Sequence, residues 1–319
     1  MYDRIELEVM KLHCQFPSHT EEYSTKEVLL GSQRAMIETP SGFVHVRSEG
    51  DGTPVLLLHW TPASNRQYIP LLSGLSNLGY GAYAPDHMGY GQSDPRPEPW
   101  AVKDYAHNIS AVMDGLGLEN AIIVGGHFSS EIAVEFSLQY PERVTHLVLD
   151  GSPVWDREFR EQVLATARQQ TPHWSEDGAH IAWVWERSLW LQRMWDSGFV
   201  LDDKGAALLR NAVIDSLLAQ QSDDSADALK NYDMEAALKQ VNVPTLALTA
   251  ETDPLNNCHG KVLALVKNAV GHTFNGGHPH HHPEKADDYI VVLHKFIEGN
   301  TDQFETAQTY EKPQTKSYA

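Results

Sequence analysis

A strand, a tight glycine turn and a helix are predicted in immediate succession by residues 121–133, which read AIIVGGHFSSEIA. Residues 121–124 are apolar and mostly β-branched, as in a fully buried strand. Gly125 and Gly126 allow a sharp turn, and from Glu131 onward the apolar residues take a helical spacing. Because ligands of open parallel sheets bind where the strands end, this turn is the first place to look for a functional site.

Four further apolar runs predict buried strands, at residues 54–58, 81–85, 144–149 and 244–249. Helical patterns separate the earlier runs, so that strand and helix alternate through residue 140. Such alternation predicts a mostly parallel sheet covered by helices on both faces. Two short alternating runs on either side of the turn at residues 39–42 predict an antiparallel hairpin at the edge of that sheet.

The glycine turn resembles the nucleophile elbow of α/β-hydrolases, which usually reads Gly-x-Ser-x-Gly. The matching residues here are Gly125, Gly126, His127, Phe128 and Ser129. A histidine therefore stands where the family has its serine. The Tyr-Pro-Glu-Arg-Val segment that usually follows the elbow helix is also present, and its Pro141 lies 14 residues after His127, the separation usual for the nucleophile. This register favours His127 over Ser129, which would require a slip of two residues.

Two other loops strengthen the resemblance. Residues 86–94 read DHMGYGQSD, similar to the Asp-x-x-Gly-x-Gly-x-Ser loop of the family, and residues 59–62 read HWTP where the family has His-Gly. Together with the elbow histidine, the second loop resembles a subset of α/β-hydrolase-like chains that carry histidine at the elbow and His-Gln-Thr-Pro at the oxyanion loop. That resemblance does not point to one reaction.

The resemblance covers about residues 34–150 and 243–298, and it implies an α/β-hydrolase fold. This fold class has a mostly parallel eight-stranded sheet with helices on both faces and a helical cap. We expect an N-terminal arm over residues 1–33, a core over residues 34–150 and 241–299, a helical cap over residues 151–240 and a C-terminal tail over residues 300–319. Helical patterns in the cap lie near residues 158–170, 181–195 and 206–221.

The resemblance also implies a catalytic set at the ends of the strands. Asp253 matches the acid loop of the family, and His278, preceded by Gly277, matches its histidine loop. A histidine oriented by a carboxylate is a usable general base, so His278 with Asp253 is the expected base. Asp150 is the rival acid, because some members of the family take their carboxylate from the end of the preceding strand.

The family's oxyanion hole falls on the backbone N–H groups of Trp60 and Phe128. Substrate is expected under the cap, where six of the eight tryptophans lie. Trp183, Trp185 and Trp190 cannot all lie on one buried helix face, because Trp183 and Trp185 diverge by about 200°, so at least one of the three is expected to face the cleft or a partner. His59, which precedes the oxyanion residue, is expected beside the substrate as well.

Three roles are open for His127: a nucleophile that forms an acyl-imidazole, a hydrogen-bonding group for a substrate oxygen, or an inert residue in a binding protein. The second is favoured, with His278 and Asp253 activating water. A metal ion held by His59, His127, His278 and Asp253 is a further alternative. Because a histidine-rich loop alone is weak ground for a metal, no metal and no other cofactor is predicted.

Composition narrows the partners. A formal net charge of -19 argues against nucleic acid and anionic membrane surfaces. The first residues lack a long apolar run, so neither a signal peptide nor a transmembrane segment is expected, and two cysteines, Cys14 and Cys258, make no disulfide framework. We expect a cytoplasmic protein that acts on a small molecule, with a homodimer formed through the terminal arms as one option.

Taken together, the motifs predict hydrolysis of a small, partly apolar carbonyl compound, such as an ester, a lactone or a C–C bond, without a serine nucleophile. A cofactor-free lyase or oxygenase that uses the same base is the first alternative. A ligand-binding protein that has lost catalysis is the second.

Overall fold

The computed structural model describes residues 32–170, 175–196, 198–219, 228–279 and 285–310. The predicted N-terminal arm lies almost wholly outside these ranges, as do Trp174 and the histidine-rich residues 280–282. Among the helices of the described ranges, none is both long and apolar enough to span a membrane.

Eight strands of the described residues form a single sheet. They are β1 (Gln33–Thr39), β2 (Gly42–Glu49), β3 (Thr53–Leu58), β4 (Tyr80–Pro85), β5 (Ala121–Gly126), β6 (Val144–Asp150), β7 (Thr245–Ala250) and β8 (Val270–Phe274). Their order across the sheet is β1-β2-β4-β3-β5-β6-β7-β8. β2 pairs antiparallel with β1 and β4, and all other pairs are parallel. The predicted parallel sheet with an antiparallel edge hairpin is confirmed.

Helices cover both faces of this sheet. They are α1 (Ile69–Asn77), α2 (Val102–Gly115), α3 (Phe128–Gln139), α4 (Arg157–Gln170), α5 (Ala179–Trp195), α6 (Asp203–Leu218), α7 (Met234–Leu238), α8 (Asn256–Leu265) and α9 (Ala286–Ile297). Side chains of β3 alternate between the two faces: Val55 and Leu57 pack in the cluster that holds α1 and α9, whereas Leu56 and Leu58 pack in the cluster that holds α2 and α3. Burial on both faces explains the continuous apolar runs of the sequence.

In the segment predicted to form the cap, between β6 and β7, the described residues form four helices, α4 to α7. α5 packs against α6. α6 begins earlier than its apolar pattern suggested, because the Asp202 side chain accepts the N–H of Gly205 at 2.9 Å and caps the helix there. The guanidinium of Arg160 donates to the carbonyl oxygens of Leu229 and Tyr232, which ties α4 to the segment before α7.

Residues 300–310, the described part of the predicted C-terminal tail, pack on the sheet. Phe304 is buried in the core. Glu305 and Gly271 of β8 exchange two backbone hydrogen bonds of 2.8 Å, and the Glu305 carboxylate accepts Nε2–H of His259 at 2.9 Å. The unpaired edge of β8 offers backbone groups that this segment satisfies, a contact that composition does not reveal.

Candidate active site

His127 lies between the last residue of β5 and the first residue of α3, in a backbone conformation that few side chains adopt. Its φ is 48° and its ψ is -120°. Such a conformation costs about 1–3 kcal/mol and is found where function requires it. A Cβ on Gly125 would lie 2.3 Å from the carbonyl oxygen of Ser129, and one on Gly126 would lie 1.6 Å from Nε1 of Trp60. The tight turn predicted around His127 is therefore present: Gly125 allows the turn to close on Ser129, and Gly126 leaves room for the indole of Trp60.

Ser129 occupies a closed position behind the elbow. Its side chain is fully buried. The hydroxyl donates to the carbonyl oxygen of His59 at 2.5 Å and accepts Nε2–H of His87 at 2.7 Å. A nucleophile must be open to substrate, so the geometry favours His127 over Ser129 at the reacting position.

His59 is fully buried and is bonded at both ring nitrogens. Nδ1 donates to the carbonyl oxygen of Trp60 at 2.8 Å, and Nε2 accepts the backbone N–H of His87 at 2.9 Å. Burial lowers the pKa of His59, and the neutral tautomer satisfies both contacts. The role in substrate binding predicted for His59 does not fit this arrangement, and neither does the alternative in which it binds a metal ion. Its ring instead joins the loop after β3 to the loop after β4.

Two imidazoles meet on one carboxylate oxygen at the end of the sheet. Oδ2 of Asp253 lies 3.1 Å from Nε2 of His127 and 2.5 Å from Nε2 of His278. Oδ1 of Asp253 accepts the N–H of Leu255 at 2.7 Å. The side chains of Asp253 and His278 are 0% and 1% exposed, whereas that of His127 is 20% exposed. His127 is therefore the member of this set that a substrate can approach.

Charge is concentrated on Asp253. Burial acts to raise the pKa of Asp253, but the attraction and hydrogen bonds of His127 and His278 outweigh it and hold that pKa far below its usual range. A carboxylate only accepts hydrogen bonds, so the two nitrogens that face Oδ2 carry their hydrogens. In a neutral His127 the lone pair is then on Nδ1.

His278 is held by two carboxylates. Its Nδ1 lies 3.0 Å from Oδ1 of Asp150, and its Nε2 faces Asp253. Burial acts to lower the pKa of His278, but attraction to Asp150 and Asp253 outweighs it and raises that pKa to about 10. An imidazolium has no lone pair, so the role of general base predicted for His278 does not fit. Asp150 and Asp253, predicted as rivals, each hold a different nitrogen of this ring.

Trp60 lines the site with its side chain as well as its backbone. The indole stacks on the imidazole of His127, with ring centroids 3.7 Å apart and planes at 15°. The backbone N–H of Trp60 donates to Oε1 of Gln67 at 3.0 Å, so this predicted oxyanion donor is engaged within the protein. The other predicted donor, Phe128, is the first residue of α3, where a backbone N–H has no partner within the helix.

Gly151 and Gln67 belong to the site although sequence reasoning missed them. A Cβ on Gly151 would lie 2.5 Å from Oδ2 of Asp253 and 2.8 Å from Nε2 of His127, and its φ is +67°. The pair Asp150-Gly151 at a strand end was a usable signal, because a glycine there permits close backbone approach. Nothing comparable marks Gln67.

The two tryptophans predicted to bind substrate lie on α5. Trp183 is half-buried, and the guanidinium carbon of Arg187 lies 5.4 Å from its ring centroid. Trp185 is 45% exposed. The divergence of the two side chains on the helix is as predicted, and their role in substrate binding stays a prediction.

Comparison with known proteins agrees with this architecture. A stretch of 118 residues is 33% identical to Epoxide hydrolase 2 of Siraitia grosvenorii, covering 36% of this chain and 37% of that protein. A stretch of 127 residues is 28% identical to cis-3-alkyl-4-alkyloxetan-2-one decarboxylase of Shewanella oneidensis, covering 39% of this chain and 40% of that protein. The matches thus span well under half the length of these curated relatives.

The fold is shared more widely than the sequence. The crystal structure of bromoperoxidase from Bacillus anthracis superposes with a TM-score of 0.69 at 19% identity, covering 83% of this chain and 100% of that chain. The family model described as alpha/beta hydrolase fold matches residues 53–284, a range that begins at β3 and includes the elbow, Asp253 and His278. The chain therefore belongs to the α/β-hydrolase fold family.

Proposed function

We propose that this chain is an enzyme that hydrolyses a small, partly apolar carbonyl compound, such as an ester, a lactone or a ketone cleaved at a C–C bond, by direct attack of water. The observation that carries this proposal is the imidazole of His127 at the strained elbow, 3.1 Å from Asp253. The position of the family nucleophile thus holds a base paired with a carboxylate. Hydrolytic names among the relatives, such as the epoxide hydrolase, also support hydrolysis.

His127, rather than His278, is the base of the proposed reaction. Asp253 fixes Nε2–H of His127, so Nδ1 is the nitrogen that takes a proton from water as the water oxygen attacks the carbonyl carbon. Collapse of the tetrahedral intermediate breaks the bond to the leaving group, which takes the proton back from His127. No covalent bond to the protein forms. The His278 imidazolium, between Asp150 and Asp253, keeps the shared carboxylate in place.

The developing oxyanion needs a donor. The N–H of Phe128 at the start of α3 suits this role, because the positive end of the helix dipole lies there. The N–H of Trp60 would first have to leave Oε1 of Gln67. We therefore assign Phe128 as the main donor.

Activity on a panel of small esters, lactones and β-diketones tests the proposal, with products identified by mass spectrometry. Intact-protein mass measured during turnover should show no acylated species. An adduct on Ser129, Ser130 or His127 would overturn direct water attack, and tight binding of panel compounds without products would favour a binding protein.

Three variants then assign the roles. General-base catalysis contributes about 10²–10⁴-fold, so His127→Ala should lose turnover on that scale. Asp253→Asn should lose a similar amount of turnover, because the Asp253 carboxylate orients His127 directly. Asp150→Asn acts only through His278 and should lose less. Wild-type turnover in His127→Ala would exclude His127 as the base.

A lyase is the second candidate, and one comparison favours it. The relative from Shewanella oneidensis is named a decarboxylase. The His127–Asp253 pair would then move a proton to or from the substrate carbon instead of activating water. Incorporation of ¹⁸O from labelled water into the product separates the two, since hydrolysis requires it and lyase chemistry does not.

A further inference from the structure

Three side chains of metal-ligating type meet beside the elbow. One ligand atom of each of His127, His278 and Asp253 lies within 4.8 Å of the others, and Nε2 of both rings faces Oδ2 of Asp253. Two imidazole nitrogens and one carboxylate oxygen are a donor set that Zn²⁺ accepts, leaving a further position for water or substrate. The sequence alone did not favour a metal, because the histidine-rich loop was the main argument for it. The proximity of these three side chains is a different and stronger argument for a metal site.

The surroundings of the three donors also suit a metal. Metal-bound histidines usually give their other N–H to a carboxylate, and Nδ1 of His278 lies 3.0 Å from Oδ1 of Asp150. Metal-bound carboxylates are themselves hydrogen-bonded, and Oδ1 of Asp253 accepts the N–H of Leu255 at 2.7 Å. These contacts leave Oδ2 of Asp253 as the oxygen that faces both rings.

Charge gives an independent reason. Asp150 and Asp253 are both buried, and His278 lies between them. Buried carboxylates need a compensating cation. A divalent cation between the rings would balance both carboxylates and leave the two imidazoles neutral.

We propose that His127, Asp253 and His278 bind a divalent transition-metal ion of the Zn²⁺ type. Asp150 would orient the ring of His278 for this role. The proposal rests on the proposed function in so far as the ion would lie beside His127 and Asp253, the pair that activates water there. When bound, such an ion would act as a Lewis acid and lower the pKa of a coordinated water, so that His127 need not hold the proton itself.

Zinc binding is tested first without any substrate. The sequence carries three more histidines directly after Pro279, at His280, His281 and His282, which would bind metal on their own account. All measurements therefore use a background protein in which these three are replaced by glutamine. The chelator-treated protein is loaded with Zn²⁺, desalted and analysed for zinc by mass spectrometry, and Co²⁺ loading is followed by its visible absorption.

We expect about one Zn²⁺ per chain and the intense absorption of four-coordinate Co²⁺. His127→Gly removes one ligand while relieving the backbone strain at this position, so the variant should fold, as circular dichroism will check, and should lose stoichiometric binding. Asp150→Asn keeps the ligands but not their orientation, and its Zn²⁺ affinity should fall about 10–100-fold. His107→Gln, at an exposed histidine of α2, is the matched control and should bind normally.

Substoichiometric zinc in the background protein would overturn the metal site. So would undiminished binding in His127→Gly. Neither result bears on the proposed hydrolysis, because turnover is measured separately on the chelator-treated protein. Turnover that persists without metal would support the His127 base alone, and the absence of turnover in both metal-loaded and metal-free protein would count against the proposed function while the zinc result stands.

Discussion

The indole of Trp60 and the imidazole of His127 lie face to face, with ring centroids 3.7 Å apart. Both residues depart from the family pattern, which has glycine after the oxyanion-loop histidine and serine at the elbow. The indole also occupies the space above Gly126, where a Cβ would lie 1.6 Å from Nε1. Because these two residues are in contact, we interpret the two departures as one coupled change, in which each ring packs against the other.

Coupling between the two rings is measurable. Urea unfolding of Trp60→Leu, His127→Ser and the double variant should give an interaction free energy of about 0.5–1.5 kcal/mol, the usual range for aromatic pairs. Trp100→Leu is the matched control, because Trp100 is also buried but packs on Tyr105 with ring centroids 5.0 Å apart. Its effect should add to that of His127→Ser. Additivity at Trp60 as well would mean that the stack does not stabilise the fold.

Serine-directed reagents provide a second prediction. Fluorophosphonates should not label the wild-type protein, because Ser129 is buried and bonded to His59 and His87, and the Ser130 hydroxyl donates to the carbonyl oxygen of His127 at 2.7 Å. His127→Ser restores the family's nucleophile at an open elbow and should become labelled, as peptide mass spectrometry will show. Stoichiometric labelling of Ser129 in the wild type would return the mechanism to a serine nucleophile.

Gly151 offers a third prediction. A Cβ there would lie 2.5 Å from Oδ2 of Asp253 and 2.7 Å from Cδ2 of His127, so Gly151→Ala should push the pair apart and lower turnover by at least tenfold, at about 1.4 kcal/mol per factor of ten. Gly117→Ala is the matched control: its φ is +69°, but nothing lies within 4 Å of the added carbon. Both variants should lose similar stability from the backbone, about 1–2 kcal/mol. Equal turnover in the two would contradict close packing at the site.

Sequence patterns predicted the sheet well because burial on both faces leaves apolar runs that no surface strand would carry. The elbow was equally readable, since only glycines fit the space at Gly125 and Gly126. The roles of Asp150 and Asp253 could not be predicted in this way, because both carboxylates follow neighbouring strands. Only the placement of the His278 ring shows that each carboxylate faces a different nitrogen of that ring. His59 was misjudged for a similar reason: a motif gives its position in the chain but not the direction in which its ring points.

Acid should destabilise this protein through His59 and His87. Burial lowers the pKa of His59, and burial together with the nearby His59 holds the pKa of His87 well below its usual value. In the unfolded chain both imidazoles have a pKa of about 6.5. Above that pH both states are neutral and stability is unaffected; below it the unfolded chain binds protons that the folded chain does not. The free energy of unfolding should then fall by up to about 1.4 kcal/mol per pH unit for each histidine.

The test is urea unfolding between pH 5 and 8 on the wild type and on His87→Gln, whose amide keeps a donor for the Ser129 hydroxyl. Because all other groups are shared, the difference between the two curves isolates His87, and the variant should lose stability less steeply below about pH 6.5. His107→Gln, at an exposed histidine, should follow the wild type. Parallel curves for the wild type and His87→Gln would mean that His87 takes up its proton in the folded protein. The assignment of His59 and His87 as a buried neutral pair would then be wrong.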